Sequence, residues 1–282
     1  MRIAITGSNG QLGLALRKTL AGHALMNIDL PEHDITDLGG IVAAVRLFGP
    51  EVIIHTAAIT DVDGCERNPE LAYRVNVLGT RNMAVAAQQC GAPMVCISTD
   101  YVFDGARQEP YWEWDAANPQ SVYARTKWLG EEQTRQILQE FYIVRVAWLY
   151  GAGPRNFVRG TVLRLAQERD AITMVTDELG SPTFAQDVAE ALVRLIALPA
   201  YGVYQLPNAG ICSRYDWAAE ILRLAGLAER VNLIPSENYQ RAAVVPKRVE
   251  MRNFAAAELG ITMRPWRDAL RDYMAQEGLL HG

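Results

Sequence analysis

Short, almost wholly apolar runs alternate with amphipathic stretches through the first half of the chain. Arg2–Thr6, Ala24–Ile28, Glu51–His55, Pro93–Ser98 and Tyr142–Trp148 read as strands. Between them, Gln11–Ala21 places Leu12, Leu16 and Leu20 at helical spacing, and Asp37–Phe48 turns Ile41, Val42 and Val45 inward. Glu70–Cys90 and Ser121–Gln139 read as two further helices. Strands without polar alternation are buried on both faces, so the order predicts a parallel sheet covered by helices on both sides. The predicted fold class is α/β, a Rossmann-like doubly wound parallel sheet.

After about Gly151 the pattern loosens. Helices are predicted at Phe157–Glu168, Ala185–Ala197, Arg214–Ala225 and Pro265–Ala275, a strand at Ile172–Val175, and a loop over Asp177–Thr183. Residues 1–150 are read as a dinucleotide-binding domain and residues 151–282 mainly as a smaller substrate-binding lobe, with late segments free to return to the sheet.

Composition narrows the class. With 282 residues, half of them hydrophobic, the chain can bury a sizeable core. The net charge is −5, and acidic and basic residues are interspersed, which argues against nucleic-acid and membrane partners. No apolar run reaches transmembrane length, and Met1–Thr6 leads into a glycine-rich turn without a signal-peptide core. Cys65, Cys90, Cys96 and Cys212 are widely spaced without a CxxC pair, which fits reduced thiols in a cytoplasmic protein and predicts no metal site. Monomer and homodimer both remain open.

The candidate chemistry lies in two places. Gly7, Gly10 and Gly13 form G-x-x-G-x-x-G between the first strand and first helix. Glycines there let backbone N–H groups approach a pyrophosphate, at a helix end that favours negative charge. Asp29 follows the second strand, where its carboxylate can accept from an adenosine ribose or serve as a plain turn acid. A carboxylate repels a 2′-phosphate, so NADH is favoured over NADPH, with both kept. Asp34 and Ile35 come next, Asp34 as an adenine-edge contact or a turn cap. Ala57, Ala58 and Ile59 follow the third strand, with small side chains that fit a close backbone approach or simple packing.

The second place is Tyr123-x-x-x-Lys127, two residues on one helical face. An ammonium beside a phenol would lower the phenol's pKa and make it a usable proton donor. At the end of the fourth strand, Thr99 or Ser98 can offer a hydroxyl to a substrate carbonyl, and strand alternation points the two in opposite directions.

These residues, with Ser98-Thr-Asp-Tyr-Val-Phe-Asp-Gly105, Thr56–Asp63 with Glu66, Val75-Asn76, Arg145–Tyr150, Asp177–Thr183 and Arg264-Pro265, resemble the extended short-chain dehydrogenase/reductases over essentially the whole chain. Within them the chain is similar to reductases of nucleotide-linked keto sugars. The resemblance implies a dTDP-linked 4-keto-6-deoxy sugar as partner, reduced at C4 to give dTDP-L-rhamnose. It implies Tyr123 as proton donor, Lys127 as its partner and Thr99 as third catalytic residue. It adds Gly10, Gln11, Leu12 and Thr60 to the cofactor contacts, and Val62, Thr99, Asp100 and Trp148 to the sugar-nucleotide contacts. Trp148 can equally be core, and Asn76 is expected as structural support. Arg214 and Arg241 are candidates for the diphosphate or plain surface charges. Some members dimerise through a magnesium site with a glutamate on the first helix. Leu14–Lys18 has no acid, so no metal is carried over. An epimerase or 4,6-dehydratase on the same scaffold is the first rival, and dehydration is disfavoured because Tyr101, not a second carboxylate, follows Asp100. A reductase of a different 4-keto sugar and a non-catalytic NAD(P)-binding regulatory subunit are the alternatives.

Overall fold

The computed structural model describes residues 1–153, 156–237 and 239–281. Its centre is a six-stranded sheet of β1 (Arg2–Thr6), β2 (Ala24–Ile28), β3 (Val52–His55), β4 (Met94–Thr99), β5 (Phe141–Val146) and, from the second half, β10 (Gly202–Gln205). The strand order is β10-β5-β4-β3-β1-β2, with every neighbour parallel. The chain winds outward from β1 in both directions, so the carboxyl ends of β1 and β3 flank a topological switch point, where ligands bind in such sheets.

Helices cover both faces. On one side α1 (Gln11–Thr19) packs with the late helix α8 (Ala185–Leu195) over Ile3, Ile5, Ile54, Val95 and Val144. On the other lie α2 (Leu38–Phe48), α5 (Thr80–Cys90) and α6 (Val122–Ile137), around Ile41, Val45, Met83, Met94 and Ile143. Caps fix the ends. Asp37 accepts from Gly40 N at the start of α2, Gly49 (φ 61°) closes it in the left-handed region, and Ser121 accepts from Ala124 N at the start of α6.

The run predicted as one helix over Glu70–Cys90 starts at Pro69. It comprises α4 (Pro69–Ala72), a π-helical stretch Tyr73–Gly79, and α5. Before it lies α3 (Val62–Arg67), capped by Asp61, which the sequence reading did not separate from the loop. The fifth strand stops at Val146, because Trp148 takes a left-handed φ of 41°. Past it come β6 (Leu149–Tyr150), a π-helical Phe157–Leu163 that opens the helix predicted there, α7 (Arg164–Glu168) and β7 (Ala171–Val175).

Asp177–Thr183, expected as a loop, holds β8 (Leu179–Gly180) and the start of β9 (Thr183–Phe184). These are two-residue strands that pair with β11 (Cys212–Ser213) and β6, too short to leave a periodicity in sequence. Beyond them α9 (Arg214–Leu224), β12 (Asn232–Ser236), α10 (Ala255–Glu258) and α11 (Trp266–Gln276) complete the order. Tyr150, Phe184, Trp217, Trp266 and Tyr273 form the core of this second half. Pro154, Arg155, Asn238 and Gly282, which fall within the predicted substrate lobe, lie outside the described residues. No helix among the described residues is long and apolar enough to cross a membrane. The four cysteines are unpaired.

Candidate active site

A cleft of about 1130 Å³ opens at the carboxyl ends of the central strands. Its floor is the glycine turn. Gly7 has φ +63°, and a Cβ there would lie 2.9 Å from the Ala57 backbone; a Cβ on Gly13 would lie 2.6 Å from Ser8 Cα. Gly10 N donates to Gly7 O at 2.9 Å and Gly10 caps α1, so the first-turn amides of α1 stay free of side-chain caps. That cradle fits a dinucleotide pyrophosphate, whose oxygens need unobstructed N–H groups at a helix N-terminus.

Gly7, Gly10, Gln11, Leu12, Asp29, Asp34, Ile35, Ala57, Ala58, Ile59 and Thr60 all line this cleft. Gly13 does not; it packs beneath the turn, against Ser8. Asp29 accepts from Asn9 N at 2.9 Å and from Leu30 N at 3.0 Å, which ties the second strand's end to the glycine loop while the carboxylate faces the cleft. Asp34 is a turn cap, accepting from Thr36 N at 2.8 Å, and also borders the cleft.

The same cleft takes in Val62, Thr99, Asp100, Tyr123, Lys127 and Trp148. Tyr123 stands in the first turn of α6, whose start is held by Glu66, accepting from Val122 N at 2.7 Å. Asn76, on the π-helical stretch, clamps the cofactor-side loop to α6. Its Oδ1 accepts from Ile59 N at 2.8 Å, and its Nδ2 donates to Ile59 O and to Thr126 Oγ1, each at 3.1 Å. Neither Glu66 nor Asn76 touches the cleft; both brace what does. Nearby, buried His55 bridges Thr6 and Thr80 through its two ring nitrogens at 2.8 and 3.0 Å. Burial, then the Lys127 charge, hold its imidazole down at about 3, so it stays neutral.

The electrostatics depart from the expectation that Lys127 would lower the Tyr123 pKa. Burial pushes the phenol above its ordinary range, the neighbouring Thr99 hydroxyl pulls the other way, and Asp100 and Tyr101 push it further up. Lys127 Nζ instead donates to Ile97 O at 2.6 Å, and burial lowers the ammonium's own pKa. The phenol of the protein alone is therefore fully protonated at neutral pH. Thr99 Oγ1 donates to Asp100 Oδ1 at 3.0 Å and accepts from Tyr101 N at 3.2 Å. Burial raises the Asp100 carboxyl to about 7, against the pull of Thr99 and the Arg214 charge.

Ser98 is not equivalent to Thr99. Its hydroxyl donates to the buried Glu131 carboxylate at 2.6 Å, so its proton is committed away from the cleft. Arg214 lines the cleft with its guanidinium 3.5 Å from the Trp148 ring centroid, and Trp148 stacks on Trp217. Arg241 is not on the cleft wall; it pairs with Asp63 through two contacts of 3.2 Å. Trp217 and Phe157, which the sequence reading missed, also line the cleft. Only tertiary packing brings them there.

A doubly wound sheet with a glycine turn at its switch point, and Thr99, Tyr123 and Lys127 in the same cleft, define an extended short-chain dehydrogenase/reductase. The sequence matches the RmlD substrate binding domain over residues 1–278, and the chain belongs to that family. It is similar to the spore coat polysaccharide biosynthesis protein SpsK of Bacillus subtilis (strain 168), at 36% identity over 277 residues, 98% of this chain and 97% of that one. It is also similar to the crystal structure of a dTDP-4-dehydrorhamnose reductase from Clostridium acetobutylicum ATCC 824, with a TM-score of 0.94 at 40% identity, covering 99% of this chain and 100% of that one. A dTDP-4-dehydrorhamnose reductase from Bacillus anthracis str. Ames, in complex with NADP, gives a TM-score of 0.94 at 37% identity, covering 98% and 99%.

Proposed function

We propose that this chain reduces the C4 ketone of dTDP-4-dehydro-6-deoxy-L-mannose to dTDP-L-rhamnose with NADH or NADPH. One observation carries the reading: Thr99, Tyr123 and Lys127 line the same cleft as the glycine turn, although 92 to 120 positions separate them from Gly7 along the chain. The names of the similar reductases and the NADP in one of them support the substrate and the cofactor class.

When bound, the reduced nicotinamide supplies a hydride to the sugar C4. Tyr123 supplies the proton, and its raised pKa keeps that proton in place until charge develops on the carbonyl oxygen. Thr99 is the second donor to that oxygen: its hydroxyl proton, directed at Asp100, is drawn to the stronger acceptor as negative charge grows. Lys127 stands one helical turn from Tyr123 on the cleft wall, where its ammonium would hold the nicotinamide ribose hydroxyls. Gly7, Gly10, Gln11, Leu12, Asp29, Asp34, Ile35 and the Ala57–Thr60 stretch hold the cofactor, and Gly13 shapes the turn from below. Asp29 favours NADH, because its carboxylate would repel a 2′-phosphate.

Val62, Asp100 and Trp148 hold the sugar nucleotide, with Arg214 the cation nearest to hand for its diphosphate. In this reading residues 1–150 serve mainly the cofactor and later residues the substrate. The enzyme works in the cytoplasm as a monomer or homodimer, without nucleic acid. Mixing the purified protein with dTDP-4-dehydro-6-deoxy-L-mannose and either NADH or NADPH should consume cofactor and yield dTDP-L-rhamnose. A folded protein that oxidises neither would leave a binding function in its place.

A further inference from the structure

The sheet and helix α6 are joined just behind the cleft by a buried ionic cluster that none of the roles above uses. Its centre is Glu131, fully buried, two helical turns past Tyr123 and one past Lys127, on the same face of α6. Ser98 and Arg145 are register partners on β4 and β5, so their side chains leave the same face of the sheet. Both meet the Glu131 carboxylate. Ser98 Oγ donates at 2.6 Å, Arg145 Nε at 3.0 Å and Arg145 Nη2 at 2.8 Å, while Arg135 adds a contact of 3.0 Å. Arg145 also donates to Glu113 O at 3.1 Å and lies over the Phe103 ring.

Two consecutive residues of β4 thus bond α6, one through its backbone and one through its side chain. The Ile97 carbonyl accepts from Lys127 at 2.6 Å and Ser98 donates to Glu131, while Thr99, the next residue, gives its hydroxyl proton to Asp100. The Lys127 bond involves a residue of the proposed chemistry and must loosen or shift when substrate and cofactor arrive. The Ser98–Glu131 bond is buried and charge-assisted, and neither group has a part in the proposed chemistry, so it can stay fixed while the site changes.

We infer that Ser98 and Glu131 are positioning residues, which with Arg145 set the height of α6 on β4 and thereby the approach of Tyr123 to Thr99. This rests on the reduction proposed above. A burial-only role would need an apolar pair, which is commonly as stable as a buried ion pair and lacks its directionality. Directional bonds to one carboxylate from two adjacent strands and from α6 itself fix a register as well as a separation.

The test is Ser98→Ala in the full chain, which removes one donor from Glu131 and leaves both arginines in place. Glu131→Gln is the harsher variant, because it strands two guanidinium groups. For folded Ser98→Ala, kcat should fall roughly tenfold or more, because a small misplacement of a catalytic group is costly, with sugar-nucleotide KM and cofactor Kd changed less than about twofold. Independently of turnover, the Tyr123 ¹³Cζ resonance in tyrosine-labelled protein, assigned with Tyr123→Phe, should move in Ser98→Ala. A folded Ser98→Ala with wild-type kcat and an unmoved Tyr123 resonance overturns the inference. So does a kcat that falls only in proportion to the folded fraction. If the wild type fails to reduce the sugar, the reaction is wrong, and the resonance alone decides the positioning claim.

Discussion

Gly13 lies directly beneath Gly7: a Cβ at position 13 would come within 2.6 Å of Ser8 Cα and overlap the Gly7 carbonyl. The atoms in the way are backbone, so no rotamer relieves the clash. Gly13→Ala must therefore lift the turn itself. Overpacking of this kind costs about 1–3 kcal/mol. Since the lifted turn is the cradle, NADH affinity should weaken roughly tenfold or more, each tenfold being about 1.4 kcal/mol. Calorimetric titration with NADH measures this; an unchanged Kd would mean the turn does not carry the pyrophosphate.

Tyr123→Phe removes the proposed proton donor and nothing that caps or packs the helix, since α6 starts on Ser121 and Glu66. Turnover should fall by about 10²–10⁴, the usual contribution of a positioned acid. Cofactor binding should remain within a few-fold of wild type. Near-normal turnover in this variant would take the proton-donor role away from Tyr123.

Asp100 gives a pH-dependent prediction. Its carboxyl is raised by burial from 3.8 to about 7, in a setting where Thr99 donates to it, the Arg214 charge favours ionisation, and Tyr101, Tyr123 and Glu178 stand close by. Between those two values the folded chain holds a proton that the unfolded chain has lost. Stability attributable to this group therefore falls as pH rises from 3.8 and levels off above about 7. Asp100→Asn removes the effect. Relative to wild type, it should be more stable at pH 8 than at pH 5 by on the order of 2–4 kcal/mol. Urea unfolding at the two pH values checks the sign; parallel shifts in both proteins would mean Asp100 ionises normally.

The sheet and the cleft differ in how far the sequence discloses them. Residues 3–5 and 52–54 are apolar on both faces, so their pattern announces buried parallel strands, and glycine spacing announces the turn between β1 and α1. The catalytic candidates were legible because Tyr123 and Lys127 lie one helical turn apart. Glu131 continues the same spacing and carried the same signal, yet the spacing does not say that Ser98 and Arg145 meet it from two neighbouring strands. Strands β8 and β9 were hidden by length, and α3 by Gly64 in a six-residue helix. The placement of Arg241 on Asp63 and of Phe157 and Trp217 on the cleft wall depends on contacts between distant segments, which no local pattern records.

Gly180 tests the substrate side of the cleft apart from the cofactor side. Its backbone suits any residue, since its φ is not in the left-handed region, but a Cβ would lie 2.5 Å from Trp148 Cε2 and 2.7 Å from Nε1. The indole has little room to yield. Arg214 covers one part of its surface at 3.5 Å, Trp217 stacks against it with an interplanar angle of 19°, and its backbone is fixed at φ 41° with its carbonyl accepting from Thr183 N at 3.2 Å. Trp148 lines the cleft, so Gly180→Ala should push the indole into the space assigned to the sugar nucleotide. We expect KM for that substrate to rise roughly tenfold, the loss of about 1.4 kcal/mol of binding, with NADH affinity unchanged because a Cβ at position 180 meets Trp148 and not the glycine turn. Steady-state kinetics in the sugar nucleotide, paired with NADH titration, separate the two. A folded Gly180→Ala enzyme with unaltered KM would return Trp148 to the role of core residue at the end of a strand.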